Sequence, residues 1–412
     1  MSSSRMGADP PNGTILVFNA GSSSLKFALF AGVPALGTLM RGEVTGLGEN
    51  PHLVAHDAAG VRVADQQWSE TGEQAFSSAL DGLLALVEAM PGHDRLAAVG
   101  HRIVHGGADH IAPELVTQPL LAALETLFPL DPIHMPHNLA PIRALAKARP
   151  DLSQVACFDT AFHHTMPRLA QHFALPRAIT DAGVRRYGFH GLSYEYIACR
   201  LAADSPALAN GRVIVAHLGA GASLCALDKC VSIATTFGMS VLDGLMMATR
   251  CGSLDPGAIL YLLRLGHQPA DIEDMLYNRS GLLGVSGISS DIRVLLASKA
   301  PQAREAIDLF TYRVALDIGA MTSALGGLDG IVFTAGIGEH APAIRTAVCE
   351  RLQWLGLALD EAANDAGSSR ISMTSSKIDV RVMATDEEAM IAHHSLAITC
   401  SANVARASEP TG

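Results

Sequence analysis

Two stretches about half a chain apart follow one plan, and that repetition constrains the fold more than any other feature of the sequence. Residues 15–29 read ILVFNAGSSSLKFAL and residues 213–227 read VIVAHLGAGASLCAL. Each runs from an apolar strand through a polar residue into a Gly-rich turn of small residues, then Ser-Leu and a second strand. The echo points to two related halves facing each other, with a ligand in the cleft between them. Elsewhere strands mix with long helices, so the fold class is α/β. SSALDGLLALVEAM puts Leu80, Leu83, Leu84 and Val87 on one helical face, and REAIDLFTYRVALDIGAMTSAL reads as a long helix feeding the strand GIVFTAGIGEHA. QVACFDTAFHHTMP reads as a buried strand ending in a polar loop. A last helix is expected near Thr385, where Thr385 and Glu388 have capping-box spacing.

The 412 residues are too many for one ordinary domain and suit two. Lys and Arg number 29 against 40 Asp and Glu, a net charge of −11, which argues against a nucleic-acid or anionic-membrane partner and suits a cytoplasmic protein. No apolar run approaches the ~18 residues of a membrane span. Residues 1–12 lack the apolar stretch of a secretory signal and read as a flexible extension. The seven cysteines form no C-x-x-C pair, which suggests reduced thiols.

A turn built of Gly, Ser and Ala lets a backbone come close to a ligand, and its amides can converge on an anion such as phosphate. A single such turn more often just connects a hairpin. Two matching turns plus a third, TAGIGE at 334–339, favour the phosphate reading. A P-loop is excluded because Gly-Lys never occurs. Gly336-Ile-Gly338-Glu-His-Ala341 fits a loose dinucleotide fingerprint, so a nicotinamide or flavin enzyme is the rival. A serine nucleophile at Ser22 or Ser23 lacks the G-x-S-x-G elbow.

VFNAGSSSLKF together with VIVAHLGAGASLCA resembles the two signature segments of the acetokinase family, which comprises acetate, propionate and butyrate kinases. GHRIVHGG, DPIHMPHN, FDTAFHHTMP, RRYGFHGLS, TRCGSLDPG, SSDIR, FTAGIGE and ATDEEAMIA follow in the family's order across nearly the whole chain. The resemblance implies two duplicated ribonuclease-H-like domains of the actin/Hsp70 type with an inter-domain active-site cleft. Residues 13–160 plus 388–402 would form the first domain and 161–387 the second, with 403–412 as a tail. It also implies phosphoryl transfer from ATP to acetate with Mg²⁺ (Mn²⁺ as an alternative), usually in a homodimer. A nucleotide-operated binding protein on the same scaffold is the reading from another class.

By the same likeness Arg102 and Arg250 flank the acyl substrate and the migrating phosphoryl group, where a guanidinium can fork onto carboxylate or phosphate. His190 hydrogen-bonds the phosphoryl group in transit, and Asp159 and Glu387 lie near the metal, with Asn19 helping to place it. Val104, His134, Phe189 and Val241 would line the acyl site. The nucleotide would be held by Asn19, Ser22, Ser24 and Lys26, by His217-Leu218-Gly219-Ala220-Gly221, by Asp291-Ile292-Arg293, and by Ala335-Gly336-Ile337-Gly338-Glu339. Three positions depart from the family pattern. Ala220 stands where Asn is usual, Ser253 where an acid is usual, and Val241 where proline is common. The His163-His164 pair is not expected to share a metal, because neighbours on a strand point to opposite faces.

Overall fold

The computed structural model describes residues 13–21, 24–32, 36–90 and 95–407; the expected extension 1–12, Ser22, Ser23 and the last five residues lie outside them. The chain divides into two compact units. One comprises Met1–Ala161 with Asp386–Gly412, the other Phe162–Thr385. No helix among the described residues is long and apolar enough to cross a membrane.

The first unit is built on eight strands: β1 (Thr14–Ala20), β2 (Ser24–Phe30), β3 (Thr38–Thr45), β4 (His52–Asp57), β5 (Arg62–Gln67), β6 (Leu96–Ile103), β7 (Glu114–Leu115) and β8 (Ser153–Phe158). They are ordered β5-β4-β3-β2-β1-β6-β8-β7. The meander β1 to β5 is antiparallel, whereas β6 runs parallel to β1 and β8 parallel to β6. Alternation along the strands gives the sheet two faces. Leu16, Phe18 and Ala20 share a core with Leu80, Leu83, Leu84 and Val87 of helix Gly72–Glu88. The other face carries Ile15, Val17 and Asn19 of β1 and Gly100 and Arg102 of β6. It packs against the closing helix Glu387–Ala407.

The second unit repeats the central run of the first. Its strands are β9 (Arg212–Leu218), β10 (Ala222–Asp228), β11 (Val231–Thr235), β12 (Gly330–Thr334) and β13 (Asp379–Val382), ordered β11-β10-β9-β12-β13. As with β3-β2-β1-β6-β8, the first three are antiparallel and the last two run parallel to the first. This is the duplicated ribonuclease-H-like arrangement. Val213 and Val215 pack on helix Gly191–Asp204, and helix Pro301–Leu325 covers the opposite face.

Four local expectations change. Leu218 pairs with Ala222, whereas Ala20 pairs with Leu25, so the second hairpin turn is one residue shorter. The Ser-Leu pairs of the two echoes are therefore not equivalent, and Ser223 stands opposite His217 where Lys26 stands opposite Asn19. TAGIGE is not a turn between strands, since β12 ends at Thr334 and a short helix Ala335–His340 begins at once. The last helix starts at Glu387 and runs on past residue 402. Its cap is Asp386, whose carboxylate accepts from the Ala389 N–H at 2.9 Å, so Thr385 forms no capping box. His163 and His164 lie on a 3-10 turn, Ala161–Thr165, beyond β8, with His163 buried and His164 exposed.

The closing helix leaves β6 no room. A Cβ on Gly100 would collide with Ser395 Oγ and with Ile391 Cγ2. Gly100→Ala is expected to lower the stability of the first unit by about 1–3 kcal/mol, the usual cost of overpacking, as read from the urea midpoint.

Candidate active site

In the first unit the site forms where three parallel strands end, the side of an open α/β sheet on which ligands bind. Asn19 is the penultimate residue of β1, Arg102 that of β6, and Asp159 follows β8 directly. The strand register fixes their common face: Arg102 pairs with Cys157, two residues before Asp159. Arg102 Nε donates to Asp159 Oδ1 and Oδ2 at 3.1 and 3.0 Å, Nη2 donates to Oδ2 at 2.5 Å, and Nη1 donates to Asn19 Oδ1 at 3.0 Å. Asp159 is fully buried, so this fork compensates a charge that would be costly alone. Burial opposes the charge of Arg102, but Asp159 and then Glu387 outweigh it and hold the guanidinium firmly protonated.

Glu387 enters from the first turn of the closing helix, its Oε2 3.9 Å from Arg102 Nε. Burial, together with the charges of Asp159 and Glu388, pushes its carboxyl up to about 7, against the pull of Arg102 and Lys26. Lys26 stands across the hairpin from Asn19. Val104 and Ala20, the residue after Asn19, are tied together by a residue that sequence reasoning passed over. Asn138, in helix Met135–Ala148, donates to the Ala20 carbonyl and accepts from the Val104 N–H, both at 2.8 Å. Its only signal was its place in DPIHMPHN. His134 precedes that helix, and its Nδ1 donates to the buried Asp131 at 2.9 Å. Burial alone would raise the Asp131 carboxyl; His134 outweighs it and holds it below the usual range.

In the second unit the site gathers around the shorter turn. A Cβ on Gly221 would lie 3.2 Å from His190 Nε2 and 3.9 Å from Arg250 Nη1, so both side chains reach the bare backbone of Gly219–Gly221. The turn is pinned from below, where Ala248 N–H donates to the Ala220 carbonyl at 3.1 Å. His190 stacks on His217 with ring centroids 4.0 Å apart. It holds a left-handed backbone (φ 59°), uncommon for a residue with a Cβ. Its neighbours sustain that strain: buried His163 donates through Nε2 to the Phe189 carbonyl at 3.0 Å, and a Cβ at Gly188 would collide with the His163 ring. Phe189 and Val241 are buried, and Arg250 Nη1 donates to the Val241 carbonyl at 3.3 Å.

Ser253 is hydrogen-bonded to a nearby acid. Its hydroxyl donates to Asp243 at 2.9 Å, and Asp243 also accepts from Arg186 Nη2 at 3.1 Å, so a carboxylate from another segment is present. Ala335, like His190, has a left-handed backbone (φ 64°). The helix it begins is held by Arg345, almost fully buried, which donates to the Gly338 and Glu339 carbonyls at 2.9 Å. Asp291 caps helix Ile292–Ala297 and pairs with Arg293, which is otherwise exposed, while Ile292 is buried. No contact joins this trio to the Gly219–Gly221 turn among the described hydrogen bonds.

Residues 14–393 match the Acetokinase family. The chain is 53% identical over 387 residues to an acetate kinase of Rhodopseudomonas palustris, covering 92% of this chain and 97% of that one. The crystal structure of Porphyromonas gingivalis acetate kinase superposes with a TM-score of 0.85 at 35% identity, covering 94% of this chain and 99% of that one. A propionate kinase from Francisella tularensis superposes with a TM-score of 0.86 at 33% identity, over 94% of this chain and all of that one.

Two buried histidines are expected to make the protein acid-sensitive. Burial pushes His101 down to about 3 and His163 down to about 4. In the unfolded chain both take up a proton near 6.5. The unfolded state thus binds more protons below that pH, and stability falls as pH drops from about 6.5 toward 4 by about 1.4 kcal/mol per unit for each ring. Urea midpoints at pH 7.5, 6 and 5 should show this slope, and His101→Gln should lessen it.

Proposed function

The chain belongs to the acetokinase family, and on that premise we propose that it is an acetate kinase, reversibly transferring the terminal phosphoryl group of ATP to acetate to give acetyl phosphate and ADP. The observation that carries this reading is the grouping of Asn19, Arg102, Asp159 and Glu387 at the strand ends of one unit and of His190, Arg250 and the Gly219–Gly221 turn in the other. Transfer to a carboxylate needs little base catalysis, because the nucleophile already carries its electron pair. Cations and donors around the equatorial phosphoryl oxygens matter more.

Arg102 spends one N–H of each nitrogen on Asp159 and Asn19. A guanidinium has five, so one remains on each terminal nitrogen, and these two orient the acetate carboxylate. Asp159 is the residue that holds Arg102 for that task. His190 and Arg250 donate to the transferring phosphoryl group. The turn amides with Asn19, Ser22, Ser24, Lys26 and His217 bind the phosphates, and Asp291–Arg293 with Ala335–Glu339 serve the rest of the nucleotide. Val104, His134, Phe189 and Val241 bound the acyl group.

The family uses a divalent cation, which we take to be Mg²⁺, with Mn²⁺ able to replace it. The residues present fit a hard cation: Glu387, Asp159 and Asn19 offer oxygens, and the Glu387 carboxyl, pushed up by burial and then by the charges of Asp159 and Glu388, would be stabilised in its charged form by a cation. Among the described residues no cluster of three or more His, Cys, Asp or Glu forms a metal cage, which suits a cation carried mainly on the nucleotide phosphates. When bound, it neutralises charge on those phosphates. The acidic charge balance and the cysteines without C-x-x-C spacing favour a cytoplasmic location.

The deciding measurement is a hydroxamate assay with ATP and formate, acetate, propionate or butyrate. Acetate should be the best acceptor. Val241 in place of proline should leave propionate within ~10–200-fold, since one methylene discriminates by ~1–3 kcal/mol. Arg102→Ala and Arg250→Ala should each lower kcat by at least ~10³-fold with circular dichroism unchanged. Product formation indifferent to every short acid would refute the reading.

We also propose a homodimer. Helix Pro256–Arg264 buries none of its residues and leaves Leu260, Tyr261 and Leu263 at 52%, 58% and 40% exposed. Apolar area of that kind marks an interface. Light scattering should give twice the chain mass, and Leu260→Glu with Tyr261→Lys should return it to a monomer.

A further inference from the structure

Both imidazoles at the Gly219–Gly221 turn are bound from behind by a hydroxyl that is itself bound by a second hydroxyl. His190 Nδ1 lies 2.9 Å from Ser223 Oγ, and Ser223 Oγ lies 2.5 Å from the Tyr194 hydroxyl. His217 Nδ1 lies 2.8 Å from Ser193 Oγ, to which Thr385 Oγ1 donates at 2.9 Å. All the serines involved are fully buried. The Nε2 atoms point the other way, 3.2 Å (His190) and 3.9 Å (His217) from where Cβ atoms on Gly221 and Gly219 would stand. The rings stack at 4.0 Å, and Phe237 meets the His190 ring edge-on at 5.0 Å, so neither plane is free to turn.

A serine hydroxyl has one hydrogen, and a phenol is a better donor than acceptor because its lone pair is shared with the ring. That favours a chain in which Tyr194 donates to Ser223 and Ser223 gives its hydrogen to His190 Nδ1. In the second chain Thr385 donates to Ser193, whose hydrogen can go to His217 Nδ1. In that direction each Nδ1 is an acceptor, and each ring proton sits on Nε2, facing the turn.

We propose that the relays Tyr194–Ser223 and Thr385–Ser193 are positioning devices that fix His190 and His217 as Nε2–H donors, preorganised for the phosphoryl oxygens before any nucleotide binds. The inference rests on the reading of the turn as a phosphate site. Its gain is that two donors are already oriented when charge develops, so no ring has to turn during transfer.

The test begins with ¹⁵N spectra of the ligand-free, histidine-labelled full chain, with His190 and His217 assigned by single substitutions to Gln. Both rings should show an unprotonated Nδ1 and a protonated Nε2. Tyr194→Phe removes only a hydroxyl; it should move the His190 Nδ1 resonance and lower kcat about tenfold, with KM for ATP and acetate within about twofold. His190→Gln, whose amide reaches the place of Nε2, should retain more activity than His190→Asn. A wild-type His190 carrying its proton on Nδ1 would overturn the proposal, as would a Tyr194→Phe enzyme with kcat and ¹⁵N spectrum both unchanged. A shifted resonance with unchanged kcat would uphold the relay and remove His190 from the transfer step, which separates failure of the relay from failure of the functional reading.

Discussion

Side-chain alternation along three parallel strands is the constraint on which the first unit's site depends. With a period of two and a fixed register, Asn19, Arg102 and Asp159 must share a face and reach its edge together. A one-residue slip of β6 would bring His101, held behind Arg102 by Gln154 at 2.8 Å, to the site and send the guanidinium into the core. The buried carboxylate of Asp159 makes such a slip expensive, because it would lose the Arg102 fork that compensates it. Register and charge pairing thus enforce each other, and the closing helix adds Glu387 to the same face.

The second unit uses the same topology with different chemistry. Its hairpin is one residue shorter, so Ser223 takes the place that Lys26 has in the first unit. One half therefore ends in charges, and the other in imidazoles backed by hydroxyls. Both left-handed residues near the second site, His190 and Ala335, sit where a strand or loop turns abruptly into a helix. Buried polar side chains hold each junction: His163 binds the carbonyl preceding His190, and Arg345 binds the far end of the helix that Ala335 begins. Strain of ~1–3 kcal/mol persists only where neighbours over-determine it. Here the neighbours are visible.

Much of this was legible in the chain itself. The repeated strand–turn–strand plan announced duplication, helical periodicity placed Leu80 to Val87 on one face, and the ordered motifs marked Arg102, Asp159, His190 and Arg250. What misled were features whose meaning depends on partners. Thr385 and Glu388 have the spacing of a capping box, yet Asp386 caps the helix and Thr385 binds Ser193. TAGIGE looked like a third turn between strands, but a short helix begins directly after Thr334.

The sequence by itself determined the fold class, the duplication and the family, because these rest on local pattern and on motif order along the chain. Which side chains act together was decided by the tertiary structure. Asn138 closing β1 onto β6, Tyr194 and Ser223 behind His190, and Arg345 under its helix are pairings between distant segments. The reason is physical: an unpaired buried polar group is costly, so its partner is set by strand register and turn length, and the shorter second turn sets Ser223 instead of Leu224 opposite His217.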